Sequence, residues 1–435
     1  MRIVLFLLSF TCLSTSSVLM AQGFCGQTAY LTYLENQNAG LKEAAENTFF
    51  AALRGSKIKT KREQDTIYQI KVVFHIVYNN PQQNIEDSLV YSQLKVMNDA
   101  FRRTNSDTIN TRDTFKPFAA DARIEFVLST QDPDGNPSTG IIRKESRQSA
   151  FGSNPLDLSA ADIVKTRNLG SAPWDTDQYL NIWICDLSFD GVDGLLGYAH
   201  PPTGAAFWDA NSFEASDKQG VVCHYKVVGA NNRFDLATGS KTLVHEVGHY
   251  LGLRHIWGDG GCAEDDFMDD TPRARRAGFG CNMGDNSCTE VVGKQFPDMV
   301  ENYMDYSDDK CQNLFTHDQV AQMRSNLRMF RNSIYDEQIE PLPLPEIPDP
   351  MIAQTGVYPN PVVGDKLSVY IKNVDVNAKY DLILHNLIGQ QVAVWNLESK
   401  STQQIAGFLD LPGAYIYKIR QEGEQISIGK ILVGK

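Results

Sequence analysis

The stretch "HEVGHYLGLRH", His245 to His255, sets three imidazoles and a carboxylate into eleven residues. Its neighbours Leu243, Val244, Val247, Tyr250, Leu251 and Leu253 make it a helix buried on most sides. A solvated, histidine-rich helix face is therefore a poor reading, because polar side chains are buried only with partners. Residues four apart lie one turn above each other on a single helix face, so His245 and His249 aim at one point. Glu246 stands beside that point. Gly252 can adopt the left-handed conformation that ends a helix, and the chain can then return His255 as a third nitrogen ligand. Three protein ligands leave a fourth position for water, which is the arrangement of a catalytic rather than a structural zinc site.

The chain's 435 residues exceed what one core usually supports, so two or more domains are expected. A formal charge of −13 argues against nucleic acid as the main partner. The start "MRIVLFLLSFTCLSTSSVLMAQG" carries one Arg, an apolar run and small residues before Ala21, as a secretory signal peptide does. That run stops well short of the ~20 residues needed to cross a bilayer, and no later segment is apolar enough. An exported chain without a membrane span is the expectation. Outside the signal stand Cys25, Cys185, Cys223, Cys262, Cys281, Cys288 and Cys311, an odd set. The last four crowd into a loop-rich stretch that suits two disulfides in an oxidising compartment, while Cys25 lies apart.

Beyond the signal peptide (1–21), composition divides the chain into four parts. Residues 22–62 are polar, helix-prone and end in the basic run "KIKTKRE", as a propeptide with a protease-sensitive junction would. Residues 63–336 read as a globular domain of mixed strands and helices. "YQIKVVFHIVY" is an alternating strand, "ARIEFVLST", "QYLNIWICDL" and "GLLGYAHPP" are further strands, and "SLVYSQLKVMNDAFRRTN" is a helix behind Ser88 as a cap. "THDQVAQMRSNLRMFRNSI" closes the domain as a second helix. Residues 337–354 hold five prolines between Pro341 and Pro350 and form a stiff linker. Residues 355–435 alternate apolar and polar between turn signals, which predicts a small all-β sandwich.

The motif H-E-x-x-H-x-x-G-x-x-H resembles the metzincin clan of zinc peptidases, with "ENYMDYSDD" as its Met-turn. The fold this implies is an α+β domain of twisted sheet, backing helix, active-site helix and Met-turn. "HIWGDGGC", "DDFMDDTP", "NYMDYSDDKCQNLFT" and "DQVAQMR" narrow the resemblance to the pappalysin family. It implies zinc on His245, His249 and His255, Glu246 as general base, Met304 beneath the metal and Tyr306 stabilising the tetrahedral intermediate. It implies disulfides Cys262 to Cys288 and Cys281 to Cys311, and calcium near Asp265, Asp266, Asp269, Asp270 and Thr271. Cys25, in "GFCGQ", resembles a propeptide cysteine whose thiolate takes the fourth zinc position. Lys310 stands where members that cut before Arg or Lys carry an acid, which implies a lysine in a partly buried specificity pocket.

The last domain has its own resemblance. "VYPNPV", "GAYIYKI" and "GKILVGK" are similar to the C-terminal sorting domain of type IX secretion cargo, an Ig-like sandwich. Together these resemblances imply a zinc endopeptidase made as a latent precursor and acting on proteins or peptides. The type IX secretion machinery would carry it through the periplasm to the medium or cell surface. The second reading is an inactive secreted adhesin or binding protein on a metzincin scaffold. Glu246 discriminates between them, because a binding module has no reason to keep a base beside an open zinc.

Overall fold

In the sheet of the N-terminal part, the twelve-residue strand β2 (Ile67–Tyr78) has neighbours on both edges along its length. The computed structural model describes residues 24–57, 66–152, 158, 161–202, 218–230, 232–234, 240–288, 296–338, 355–358, 366–371, 377–387, 389–399, 402–406 and 413–433. The expected signal peptide, the end of the basic run, the proline-rich linker from residue 339 and the segment 359–362 lie outside the described residues. On one edge β2 pairs parallel with β4 (Ile124–Leu128) and then β5 (Ile141–Glu145). On the other it pairs antiparallel with β10 (Tyr335–Gln338) and parallel with β6 (Leu180–Cys185). The sheet continues from β6 through β8 (Val221–His224), parallel, to β7 (Leu195–Ala199), antiparallel. Last comes β1 (Phe24–Cys25), a strand of the N-terminal segment laid parallel on β7. Apart from this sheet, β3 (Ala119–Ala120) and β9 (Phe315–Thr316) make a short antiparallel pair.

Both faces of the large sheet are covered, which is why its central strands are apolar in succession and not only at alternate positions. Ile70, Val72, Phe74 and Ile76 of β2 enter one core with α3 (Asp87–Phe101) and α4 (Thr242–Tyr250). Val77, Trp183, Cys185, Val222 and Tyr198 enter the opposite layer, closed by Tyr30 and Leu34 of α1 (Gln27–Gln37). Cys185 and Cys223 therefore stand on neighbouring strands but in different layers, and both are free thiols. Helix α2 (Leu41–Ser56) lies on α5 (His317–Phe330), where Gln322 donates to Phe49 O at 3.2 Å and Ser325 to Ala52 O at 2.7 Å.

Local chemistry departs from expectation at two ends. Ser88 does not cap α3. The helix begins two residues earlier, after Glu86, and Asp87 puts its carboxylate in the first turn, where the helix dipole favours it. The linker starts later than residue 337, because Glu337 and Gln338 pair with Tyr68 and Ile67. Among the described residues, the C-terminal part holds two antiparallel sheets. One is β11 (Thr355–Tyr358), β12 (Lys366–Ile371) and β15 (Thr402–Ala406). The other is β13 (Tyr380–His385), β14 (Gln391–Leu397), β16 (Gly413–Gln421) and β17 (Glu424–Val433), in the order β14-β13-β16-β17. Leu367, Val369, Leu382, Leu384, Ile419 and Ile431 form one core from both sheets.

The segment before α5 is held by charge. Arg112 makes a bidentate pair with fully buried Glu301, both contacts at 2.6 Å, and donates to the carbonyls of Met283 and Asp298 at 2.7 Å. Glu301 O in turn accepts from Asn313 N at 2.8 Å and Leu314 N at 3.1 Å. Removing one partner of such a pair strands the other charge, which costs about 3–5 kcal/mol. Glu301→Ala is therefore expected to lower the thermal midpoint of this part of the chain, read by calorimetry, while Asp113→Ala, which removes an exposed acid, leaves it unchanged. Equal midpoints in the two variants would show that the clamp contributes nothing.

Candidate active site

The histidine helix α4 is anchored at its start by Lys241 N–H, which donates to Asp309 Oδ2 at 2.8 Å. It ends at Gly252, whose φ is 88°. A side chain there would also meet Asn326, with a Cβ only 2.2 Å from Nδ2. Leu253 N–H then returns to Gly248 O at 2.9 Å, the closing bond that a left-handed cap residue permits. The turn carries His255 back under the helix. Gly248 leaves room for Met304, whose sulfur would lie 2.5 Å from a Cβ at that position. Met304 is fully buried.

The three imidazoles converge on one point. Nε2 of His249 is 3.0 Å from Nε2 of His245 and 3.0 Å from Nε2 of His255. Each Nδ1 faces an acceptor: Tyr303 O at 2.7 Å, Leu253 O at 2.9 Å and Asp259 Oδ1 at 2.6 Å, in the order His245, His249, His255. A carbonyl can only accept, so the Nδ1 atoms carry the protons and the Nε2 lone pairs point at one another. Burial, with His255 as neighbour, pushes His245 down to about 3, and His249 also goes well below the usual range. Three bare nitrogens at this spacing repel unless a cation lies among them, and neutral imidazoles suit zinc. Trp257 stacks on His255 at 4.2 Å and 7°, closing one side.

Glu246 is fully buried, and its Oε1 has no hydrogen-bond partner. Burial raises its carboxyl to about 8. A divalent cation beside it would pull that value back towards the ionised form. Cys25 Sγ lies 3.5 Å from Glu246 Oε2, and it forms with the three histidines a group whose ligand atoms are all within 4.8 Å of one another. Burial, then Glu246, push this thiol up. A bound cation would reverse that preference and favour the thiolate. Tyr306 donates its hydroxyl to Cys25 O at 3.1 Å, and its ring lies against His255, Trp257 and His245.

The remaining expected residues fall into three groups. Cys262 is bonded to Cys288 and Cys281 to Cys311. The acidic stretch does not converge as a single set: Asp265 pairs with Arg273 and Asp269 with Lys57. Asp266 accepts from Thr271 Oγ1 at 2.7 Å, and Asp270 from Asp318 N at 3.0 Å. Asp266 Oδ2 and Asp270 Oδ1 are nevertheless buried without a hydrogen bond. Lys310 is not in a partly buried pocket. Its side chain is 65% exposed and paired with Asp308 at 2.8 Å, because the buried position in this turn belongs to Asp309, the anchor of α4.

Sequence reading missed Asp259 and Trp257, which act through an irregular turn, where no helical or strand spacing announces a contact. The available signal was a carboxylate four residues after the third histidine, amid glycines. A second convergent group, Asp186, Asp193 and His224, was also missed. There Lys226 already supplies the positive charge, 2.6 Å from Asp193. Carboxylates that orient ligating histidines typically carry 10–100-fold in metal affinity. Asp259→Asn is thus expected to weaken zinc binding by about that factor in competition with a chromogenic chelator. Unchanged affinity would remove Asp259 from the centre.

Residues 164–328 match the peptidase family model described as pregnancy-associated plasma protein-A. Mirolysin, solved in complex with a small compound, is 39% identical, with 96% of its chain and 62% of this one covered at a TM-score of 0.54. A promirolysin variant from Tannerella forsythia is 35% identical, with 93% of its chain and 69% of this one covered at a TM-score of 0.58. An extracellular metalloprotease of Pyricularia oryzae is 40% identical over 139 residues, which span 45% of that relative and 32% of this chain. The chain belongs to the pregnancy-associated plasma protein-A, or pappalysin, family of metallopeptidases, with mirolysin-like relatives.

Proposed function

We propose that this chain is a secreted zinc endopeptidase made as a latent precursor, with residues 22–62 as its pro-segment. The observation that carries the reading is the meeting of three bare imidazole nitrogens, a buried carboxylate with an orphaned oxygen, and the Cys25 sulfur at one point. Zinc bound by His245, His249 and His255 would supply the Lewis acidity that activates water and polarises a carbonyl. Glu246 takes a proton from the attacking water and delivers it to the leaving amine. The Tyr306 hydroxyl, now donating to the Cys25 carbonyl, would donate to the substrate carbonyl oxygen as negative charge develops on it. A substrate strand would pair with the edge of β7 that β1 covers in the latent chain.

Latency follows from the same contacts. Cys25 fills the position a water needs, and Gln27 N–H, 3.3 Å from its sulfur, favours the thiolate. Relatives named extracellular metalloproteases and a promirolysin variant support secretion and a latent form. The all-β C-terminal part supports the sorting reading, with passage through the periplasm by the type IX machinery. The two orphaned oxygens of Asp266 and Asp270 support calcium in that loop.

One set of variants tests the chemistry. The Cys25→Ala chain is expected to hydrolyse denatured casein without prior processing. Adding Glu246→Ala to it should remove about 10²–10⁴ of that rate while equimolar zinc is retained by elemental analysis. A silent single variant would refute the latch, and an active double variant would refute the base. In the same analysis calcium should disappear with Asp266→Ala, and its persistence would count against that loop. Sorting is tested by truncation after Asp349. Active enzyme held in the periplasm is the expected outcome, and normal release to the medium would reject the assignment.

A further inference from the structure

Alternate residues of β7 face opposite layers. Gly197 lies against Glu246, whereas Tyr198 points into the layer behind the sheet. There, Asp162 and Lys165 form a buried ion pair at 3.1 Å, with side chains 10% and 2% exposed. Between them sits the phenol of Tyr30, itself fully buried. It donates to Asp162 Oδ1 at 2.7 Å and accepts from Lys165 Nζ at 2.9 Å. The ammonium is boxed by the rings of Tyr30, Trp183 and Tyr198, at 5.0, 5.4 and 5.6 Å. Burial, then Asp162, push the Tyr30 phenol well up, so it keeps the proton it donates. Both bonds involve a charged partner, the stronger class of hydrogen bond.

A phenol is matched here by one acceptor and one donor at the floor of an aromatic box. A phenylalanine ring would fill the same space and leave both charged groups without their hydroxyl, a discrimination that binding sites use to separate tyrosine from phenylalanine. We propose that the catalytic portion carries a tyrosine-recognition pocket, formed by Asp162, Lys165, Trp183 and Tyr198, that grips the pro-segment through Tyr30 independently of the histidine centre. A pro-segment severed in the basic run after Ser56 therefore stays bound as a dissociable inhibitor. In the wild-type chain the cut alone does not activate, because Cys25 stays beside the three histidines until the segment departs. The proposal rests on reading residues 22–62 as a pro-segment.

The test uses the full chain carrying Glu246→Ala, so that no peptidase activity is needed, with a site for a sequence-specific protease placed in the basic run. After cutting, departure of a fluorescently labelled pro-segment is followed by anisotropy. Tyr30→Phe should speed departure by about tenfold or more, and should have little further effect when Lys165→Met is already present. Cys25→Ala alone should release the segment more slowly than Cys25→Ala with Tyr30→Phe. Equal departure rates with and without Tyr30→Phe would overturn the pocket, as would equal effects of that substitution with and without Lys165→Met. Failure of the metal latch reads out separately, as a Cys25→Ala chain that stays inactive.

Discussion

Three imidazole nitrogens that face one another at hydrogen-bond distance, none with a proton to share, are the constraint around which this part of the molecule is built. The arrangement is unfavourable by itself and becomes favourable around a cation. It persists because the second nitrogen of each ring is held, Nδ1 by Tyr303 O, Leu253 O and Asp259, and the His255 ring face is covered by Trp257. The acceptors come from the turn after the helix and from the Met-turn. Folding of the helix, the turn after it and the Met-turn is thus a condition for the site, and metal bound there would in turn stabilise all three.

The N-terminal segment uses that geometry against itself. β1 takes the β7 edge, Cys25 takes the position beside the imidazoles, and the Cys25 carbonyl takes the hydroxyl of Tyr306. Each group proposed for peptide cleavage is thereby engaged by the chain's own backbone or sulfur. Helices α1 and α2 extend the hold over two further surfaces, the layer behind the sheet and the face of α5. Arg254 continues this contact, placed 3.9 Å over the Phe49 ring and paired with Glu46.

How much the sequence disclosed depends on the range of the interactions. His245, Glu246 and His249 were legible because helix periodicity alone places them, and His255 because Gly252 marks where the helix must end. Both disulfide pairings came through resemblance, since spacing alone left the connectivity open. Asp259 was hidden because an irregular turn, with Asp259 itself at φ 58°, brings it to His255. Tyr30 was hidden for a different reason: its partner Asp162 is 132 residues away, and only the sheet brings them together. Lys310 shows the opposite error. Its place in a motif suggested a pocket, but the turn gives the buried position to Asp309 and leaves the lysine on the surface. The continuous burial of β2 was also underestimated, because nothing in that strand announces the helix that covers its second face.

X-ray absorption at the zinc edge of the intact, latent Glu246→Ala chain tests the centre most directly. Three nitrogen scatterers at about 2.0–2.1 Å and one sulfur at about 2.3 Å are expected, from His245, His249, His255 and Cys25. The sulfur should vanish in the Cys25→Ala chain. A zinc shell without sulfur in the latent chain, or a chain that binds no zinc, would contradict the account.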